Sequence, residues 1–261
     1  MKKIQTILLS SLILSLTAGV HAATIVNSID DLSFSYMGGA SEDSAGGGSL
    51  VVNTSKNSAL YASLPNAYVL ENIGDTLTMT LSLALDNVMT DTSSSVSLSF
   101  SDSNTASATG TRWDSTYDFD VGLNPTSTAN GIIFGEGDDT NLGKYNLDQP
   151  FGTSNHTMTF KLERTGADEL SLSYSSPTLS STTRTVANDV IPVQTFTFDT
   201  LGFDFQGNGF NEEFSGSRIK ASFSGLTVDT TGSVVPEPAS IILLIVGLAG
   251  LLWKRRTTIQ R

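Results

Sequence analysis

Acidic side chains spaced so that they could act together occur in two places in this chain of 261 residues. Asp118-Phe119-Asp120 puts two carboxylates on one face of a strand, the start of what cleavage of a glycosidic bond between two carboxyl groups would need. Glu212-Glu213 is an adjacent pair, and neighbours along a strand point to opposite faces. Hard oxygen ligands of the kind calcium takes gather in the turn-like stretch from Gly135 to Asn141. Its candidates are Glu136, Asp138, Asp139 and Asn141, joined by Asp118 and Asp120. Neither set follows the EF-hand loop or the glycine-rich nonapeptide repeat, and solvated turn acids account for the same residues. Sugar binding asks for an aromatic platform beside polar groups, and Trp113, Asp114 and Tyr117 are the candidates. The competing reading of Trp113 is a plug at one end of a core.

Other chemistries are bounded by what is scarce. The chain has no cysteine and two histidines. One of them, His21, sits in the N-terminal leader. That leaves His156 for any Ser-His-Asp or imidazole-metal site, and between Asn155 and Thr157 it reads as a surface residue. No catalytic residue is assigned, and the chain is read as a non-enzyme.

Both ends look like address labels. Met1-Lys2-Lys3, an apolar run from Ile7 to Leu16 and Val20-His21-Ala22 form a secretory signal peptide over residues 1–22, cut by signal peptidase between Ala22 and Ala23. At the other end, Ala239 to Trp253 is an unbroken apolar run, roughly 22 Å of helix, followed by Lys254, Arg255 and Arg256. The cations hold that end in the cytoplasm and leave the rest outside. Setting aside the basic residues of the two ends, Lys2, Lys3, Lys254, Arg255, Arg256 and Arg261, the 14 cations fall to 8 against 26 acids. A body at −18 is repelled by nucleic acid and by anionic lipid, so neither is expected as its partner. It suits an exported protein that stays soluble, or one that binds cations or neutral polymers.

The elements that must position these residues are strands. From about Thr24 to Thr230 apolar residues alternate with Ser, Thr or Asp, most clearly at Leu77, Met79, Leu81, Leu83 and Leu85. Segments such as 96–100, 117–121, 132–134, 158–162, 170–174, 196–198, 203–205, 219–223 and 226–228 read the same way. The stretch from His156 to Ser176 is a hairpin turning at Thr165-Gly166-Ala167-Asp168. About a dozen half-apolar strands need a second sheet to cover them, so the expected fold is an all-β antiparallel β-sandwich, a jelly roll by preference, with a barrel as the alternative. It occupies residues 23–233 as one domain, flanked by the signal peptide and by one C-terminal transmembrane helix at 239–253. Gly38 to Ser49, Ser101 to Gly110 and Arg112 to Asp118 read as loops.

Val235-Pro236-Glu237-Pro238-Ala239-Ser240, then the apolar helix, then Lys-Arg-Arg, resembles the PEP-CTERM sorting signal of Gram-negative bacteria, within a tail of residues 234–261. The resemblance implies a temporary inner-membrane anchor recognised through Pro236, Glu237 and Pro238 by an exosortase. It also implies a body destined for the cell surface or the extracellular matrix, with exopolysaccharide or biofilm as its setting. More loosely, the hairpin and the closing strand Gly225 to Asp229 resemble concanavalin A-like lectin and glucanase jelly rolls. That resemblance implies a carbohydrate-binding module as the alternative function and a glycoside hydrolase as a third. The glucanases of that group carry Glu-x-Asp-x-(x)-Glu on one strand, and Asp118-Phe119-Asp120 lacks its glutamates.

Overall fold

The computed structural model describes residues 22–87, 94–103, 106–109, 112–115, 119–125, 130–136, 140–145, 152–179, 181–187, 196–207, 210, 213–214 and 217–234. They form two stacked antiparallel sheets. The first runs β15 (Ser181–Ala187), β14 (Glu169–Ser175), β13 (His156–Gly166), β6 (Thr76–Leu85), β19 (Lys220–Thr230), β4 (Ser49–Asn53) and β3 (Ser41–Gly46). Beside β4, β1 (Ala23–Val26) pairs with the far half of β19. The second sheet runs β12 (Thr140–Tyr145), β11 (Asn130–Glu136), β10 (Phe119–Pro125), β7 (Ser95–Ser101), β16 (Thr197–Gln206), β5 (Ser58–Val69) and β2 (Phe34–Met37). There β20 (Ser233–Val234) pairs with the end of β5. Two small hairpins, β8 (Ala106–Thr109) with β9 (Arg112–Ser115) and β17 (Glu213–Phe214) with β18 (Ser217–Arg218), stand apart. Each sheet keeps two edge strands, which makes this a sandwich and not a closed barrel.

The alternation read from the sequence is what stacks the sheets. Along β6 the five apolar residues are at most 1% exposed, while the threonines and serine between them face out. Those outer hydroxyls meet across strands, Thr80 Oγ1 to Thr159 Oγ1 at 3.0 Å and Ser82 Oγ to Thr157 Oγ1 at 2.9 Å. Between the sheets, Phe100 of β7 stacks on Phe160 of β13 at 5.8 Å, and Phe203 of β16 meets Phe223 of β19 at 4.6 Å. Burying a side chain of this size contributes about 1.5–3 kcal/mol.

Two pairs of expected strands turn out to be single strands joined through bulges. In β19 the register shifts between Ser224 and Thr227, where Gly225 takes φ +59, so Ala221 and Phe223 point inward before it and Leu226 and Val228 after it. In β16 a shift between Phe198 and Thr200 does the same, with Phe198 inward on one side and Leu201, Phe203 and Phe205 on the other. A bulge inserts one residue and reverses the alternation, which from sequence alone looks like a break between strands.

Other expectations are corrected. Residues 38–49 are not one loop: β3 occupies Ser41–Gly46, an exposed edge strand that carries Glu42 and Asp43 and hydrogen-bonds to β4. Residues 101–110 and 112–118 likewise contain β8 and β9. His156 is not a surface residue. It is 6% exposed, in phase with Met158 and Phe160 on the core side of β13, and its Nδ1 shares a hydrogen bond of 2.8 Å with Thr178 Oγ1. Among the described residues no helix is long and apolar enough to cross a membrane. The signal peptide up to His21 and the tail from Val235, with Pro236, Glu237 and Pro238, lie outside the described residues.

Candidate functional site

The second sheet has an outer face unlike that of the first. On β7, Val96, Leu98 and Phe100 fill the core, so the alternate residues Ser97, Ser99 and Ser101 face away from it. Outward residues of a sheet are normally wet, yet these serines are 6%, 8% and 0% exposed. The first sheet fills the inner side, and β9 packs against β16 and β5. The face is floored by small residues. Gly202 of β16 pairs with Ser99 on one side and Tyr61 of β5 on the other. A Cβ on Gly202 would lie 2.7 Å from Ser99 Oγ, so glycine here leaves room for the hydroxyl.

Polar groups rise from this floor. Asp204 stands between Ser97 and Ala59, and its Oδ2 accepts a hydrogen bond of 2.8 Å from Gln206 Nε2 on the same strand face. The register continues across β10, setting Asp120 opposite Ser99 and Gly122 opposite Ser97, then Gly135 opposite Asp120 and Asn141 opposite Gly135. One row therefore reads Tyr61, Gly202, Ser99, Asp120, Gly135, Asn141. Of the residues proposed for calcium, Asp120 and Asn141 share this row, whereas Glu136 falls on the neighbouring one with Phe119 and Thr140. Asp118, Asp138, Asp139 and Tyr117 lie outside the described residues. Trp113 and Asp114 are on β9, opposite Ala108 and Ser107. Among the described residues no group of three or more His, Asp or Glu could hold a metal.

Asp204, Gln206, Ser97, Ser99 and Tyr61 were not singled out from the sequence. A signal for them exists in the Ser-x-Ser-x-Ser alternation of β7 and in a glycine inside a strand, which marks close approach. Other polar groups of the described chain serve structure. Asp199 sits at the β16 bulge and accepts hydrogen bonds from the Ser103 amide at 2.8 Å, the Ser103 hydroxyl, and Thr200 Oγ1 at 2.9 Å. Asp43 is held below the usual carboxylate range, chiefly by its hydrogen bond from Lys220 at 2.9 Å. Tyr36 is pushed up to about 12 by burial and by its hydrogen bond to Glu42.

At the N-terminal end, Ala22 and Ala23 are exposed, and Ala23 opens β1, paired with Thr230. At the other end β20 closes at Val234, one residue beyond the domain boundary expected at 233.

Solved structures share this fold. Arcelin-5, a lectin-like defense protein from Phaseolus vulgaris, superposes with a TM-score of 0.54 at 8% identity, over 82% of this chain and 99% of its own. The lectin UEA-II complexed with galactose gives 0.51 at 12% identity, over 80% and 98%. The seed lectin of Lotus tetragonolobus gives 0.50 at 11% identity, over 83% and 100%. No curated protein matches the chain by sequence. The tail does match a family: residues 234–256 fit the PEP-CTERM protein-sorting motif. The chain is thus a lectin-fold β-sandwich with an exosortase-directed sorting motif, exported and held transiently in the membrane by its tail.

Proposed function

We propose that this protein is a non-enzymatic exported carbohydrate-binding module, delivered by exosortase processing to the cell surface or extracellular matrix, where it holds neutral exopolysaccharide of the biofilm type. The observation that carries the reading is the outer face of the second sheet, where the half-buried Asp204 carboxylate and Gln206 amide stand beside a floor of glycine and serine. Saccharide hydroxyls are met by hydrogen bonds of this kind. The acidic body favours a neutral polymer over an anionic one. One fold neighbour was solved with galactose bound, which supports the same ligand class by analogy of fold.

A catalytic role is less well supported. Strand spacing sets the Cα atoms of Asp204 and Asp120, two strands and one residue pair apart, roughly 12 Å from each other. Asp204 is already bonded to Gln206. Calcium enters only through the acids around residues 118–120 and 136–141. Its test is chelation of the purified body: a lowered melting temperature puts the cation in the structure, and an unchanged curve removes it.

The experiment has two arms. Intact mass of the protein from cells and from medium should find a body that starts at Ala23 and ends near Pro238, outside the inner membrane; a chain intact through Arg261 would overturn the sorting route. Retention of that body on native exopolysaccharide should fall for Asp204→Asn and for Trp113→Ala with the fold unchanged. Full retention by both variants would remove this face as the site.

A further inference from the structure

Ile73 is 70% exposed, and with Val234 at 48% it makes up the large exposed hydrophobic side chains of the described residues. Single exposed apolar residues are common and need no explanation on their own. These two, however, share one end of the sandwich. Ile73 lies in the turn between β5 and β6, and that turn straddles the chain's exit: Val69 before it pairs with Ser233, and Thr76 after it accepts a hydrogen bond from the Thr231 amide at 3.0 Å.

The turn is rigid. Asp75 N–H closes it onto Asn72 O at 3.0 Å, and Gly74 takes φ +94, the pattern of a type II turn with Ile73 at its tip. Asp75 Oδ2 accepts from the Asn72 amide at 2.8 Å, and Gly74 N–H reaches Arg164 O at 2.7 Å. Arg164 then braces it from the side, donating to Leu70 O at 2.9 Å and Glu71 O at 2.8 Å, and to Gly166 O and Ala167 O in the neighbouring hairpin. Its guanidinium also covers the Phe196 ring at 4.0 Å. The position that this scaffold presents to solvent holds a β-branched apolar residue, where folding asks only for turn chemistry.

What lies opposite follows from chain length. Four residues separate Val234 from Ala239, where the apolar run begins, an extended reach of about 17 Å. While the tail is in the bilayer, that tether keeps this end of the sandwich, rather than the opposite one, within about 17 Å of the start of the apolar run. We propose that the β5–β6 turn is a foot that rests on the membrane in the anchored precursor, with Ile73 seated in the headgroup region of the outer leaflet. The contact is conditional on the tether. Glu71, Asp168 and Asp229 surround the same end, so anionic lipid opposes it, and one isoleucine is too little to bind a protein to a membrane alone. Cutting the tail therefore releases the body. The proposal rests on the tail being membrane-inserted.

Because the chain has no cysteine, single labels test this directly. The full chain after signal cleavage, carrying Ile73→Cys with a nitroxide, is reconstituted into phosphatidylethanolamine/phosphatidylglycerol vesicles and compared with Lys56→Cys at the opposite end. Flotation first reports tail insertion. Collision with a water-soluble nickel chelate should then fall several-fold at position 73 and stay unchanged at 56, with the effect strengthened by salt. A second reporter, Val234→Cys, should lose its shielding when Ile73→Asp is added. Floating vesicles with position 73 as open to nickel as position 56, or shielding at 234 indifferent to Ile73→Asp, would overturn the foot alone. Failure to float would overturn the anchor and the foot with it.

Discussion

Replacing Arg164 by lysine keeps the charge and removes the planar fork, and the structure allows its cost to be worked out. The guanidinium makes four hydrogen bonds to carbonyls of two turns and stacks on Phe196. A lysine ammonium in that position reaches two of those carbonyls and has no flat face to lay on the ring. Two charge-assisted bonds lost at about 1.5 kcal/mol each, with about 0.5 kcal/mol for the stack, set an upper figure near 3.5 kcal/mol. The carbonyls of Glu71 and Ala167 are near solvent and recover water, which lowers the expected loss to about 2–3 kcal/mol. For a domain of this size that is a fall in Tm of about 4–12 °C. Thermal unfolding followed by circular dichroism reads it, with Arg164→Met as the companion variant: it keeps the stem packing, loses every hydrogen bond, and should fall at least as far. If Arg164→Lys melts within about 2 °C of the parent, the brace is worth no more than an ordinary surface contact.

Gly232→Ala would place a Cβ 2.5 Å from Val69 O. The cost is capped at about 1–2 kcal/mol because β20 can let go of β5 instead, so cleavage by an added protease near residues 231–234 should increase while Tm barely moves; unchanged proteolysis would count against the close approach. Gly202→Ala should lower stability through the clash with Ser99, and Ser99→Gly in the same chain should restore most of the loss in a double-mutant cycle. Tyr36 has a raised folded value of about 12 against 10.0 unfolded, so its contribution is full below pH 10 and lost as pH rises through 12. Solvent screening at this partly exposed hydroxyl holds that contribution to about 1 kcal/mol, which Tyr36→Phe should abolish in unfolding curves taken across that range.

The sorting tail was readable in the sequence because its parts are contiguous: an extended Pro-Glu-Pro, an apolar run and a cationic end act in order along the chain. The sandwich was readable for a related reason. A period of two along Thr76–Leu85 or His156–Leu162 demands one buried face, and a dozen such faces demand a second sheet. Strand boundaries at Gly225 and Thr200 were not readable, since a bulge reverses the alternation without ending the strand. Nor was β3, whose exposed residues carry no apolar period and whose place comes from hydrogen bonds to β4.

The outer face of the second sheet belongs wholly to tertiary structure. Tyr61, Ser99, Asp120 and Gly202 come from four strands far apart in sequence, and only the register sets them in one row. The same holds for His156, whose polar neighbours suggest a surface until β13 turns it inward. Sequence alone determines which residues alternate, where the chain is addressed and which chemistries its composition cannot supply. Which alternating strands become neighbours, and so which polar residues share a face, is decided by long-range pairing, because a hydrogen-bonded ladder brings residues together by register and not by distance along the chain.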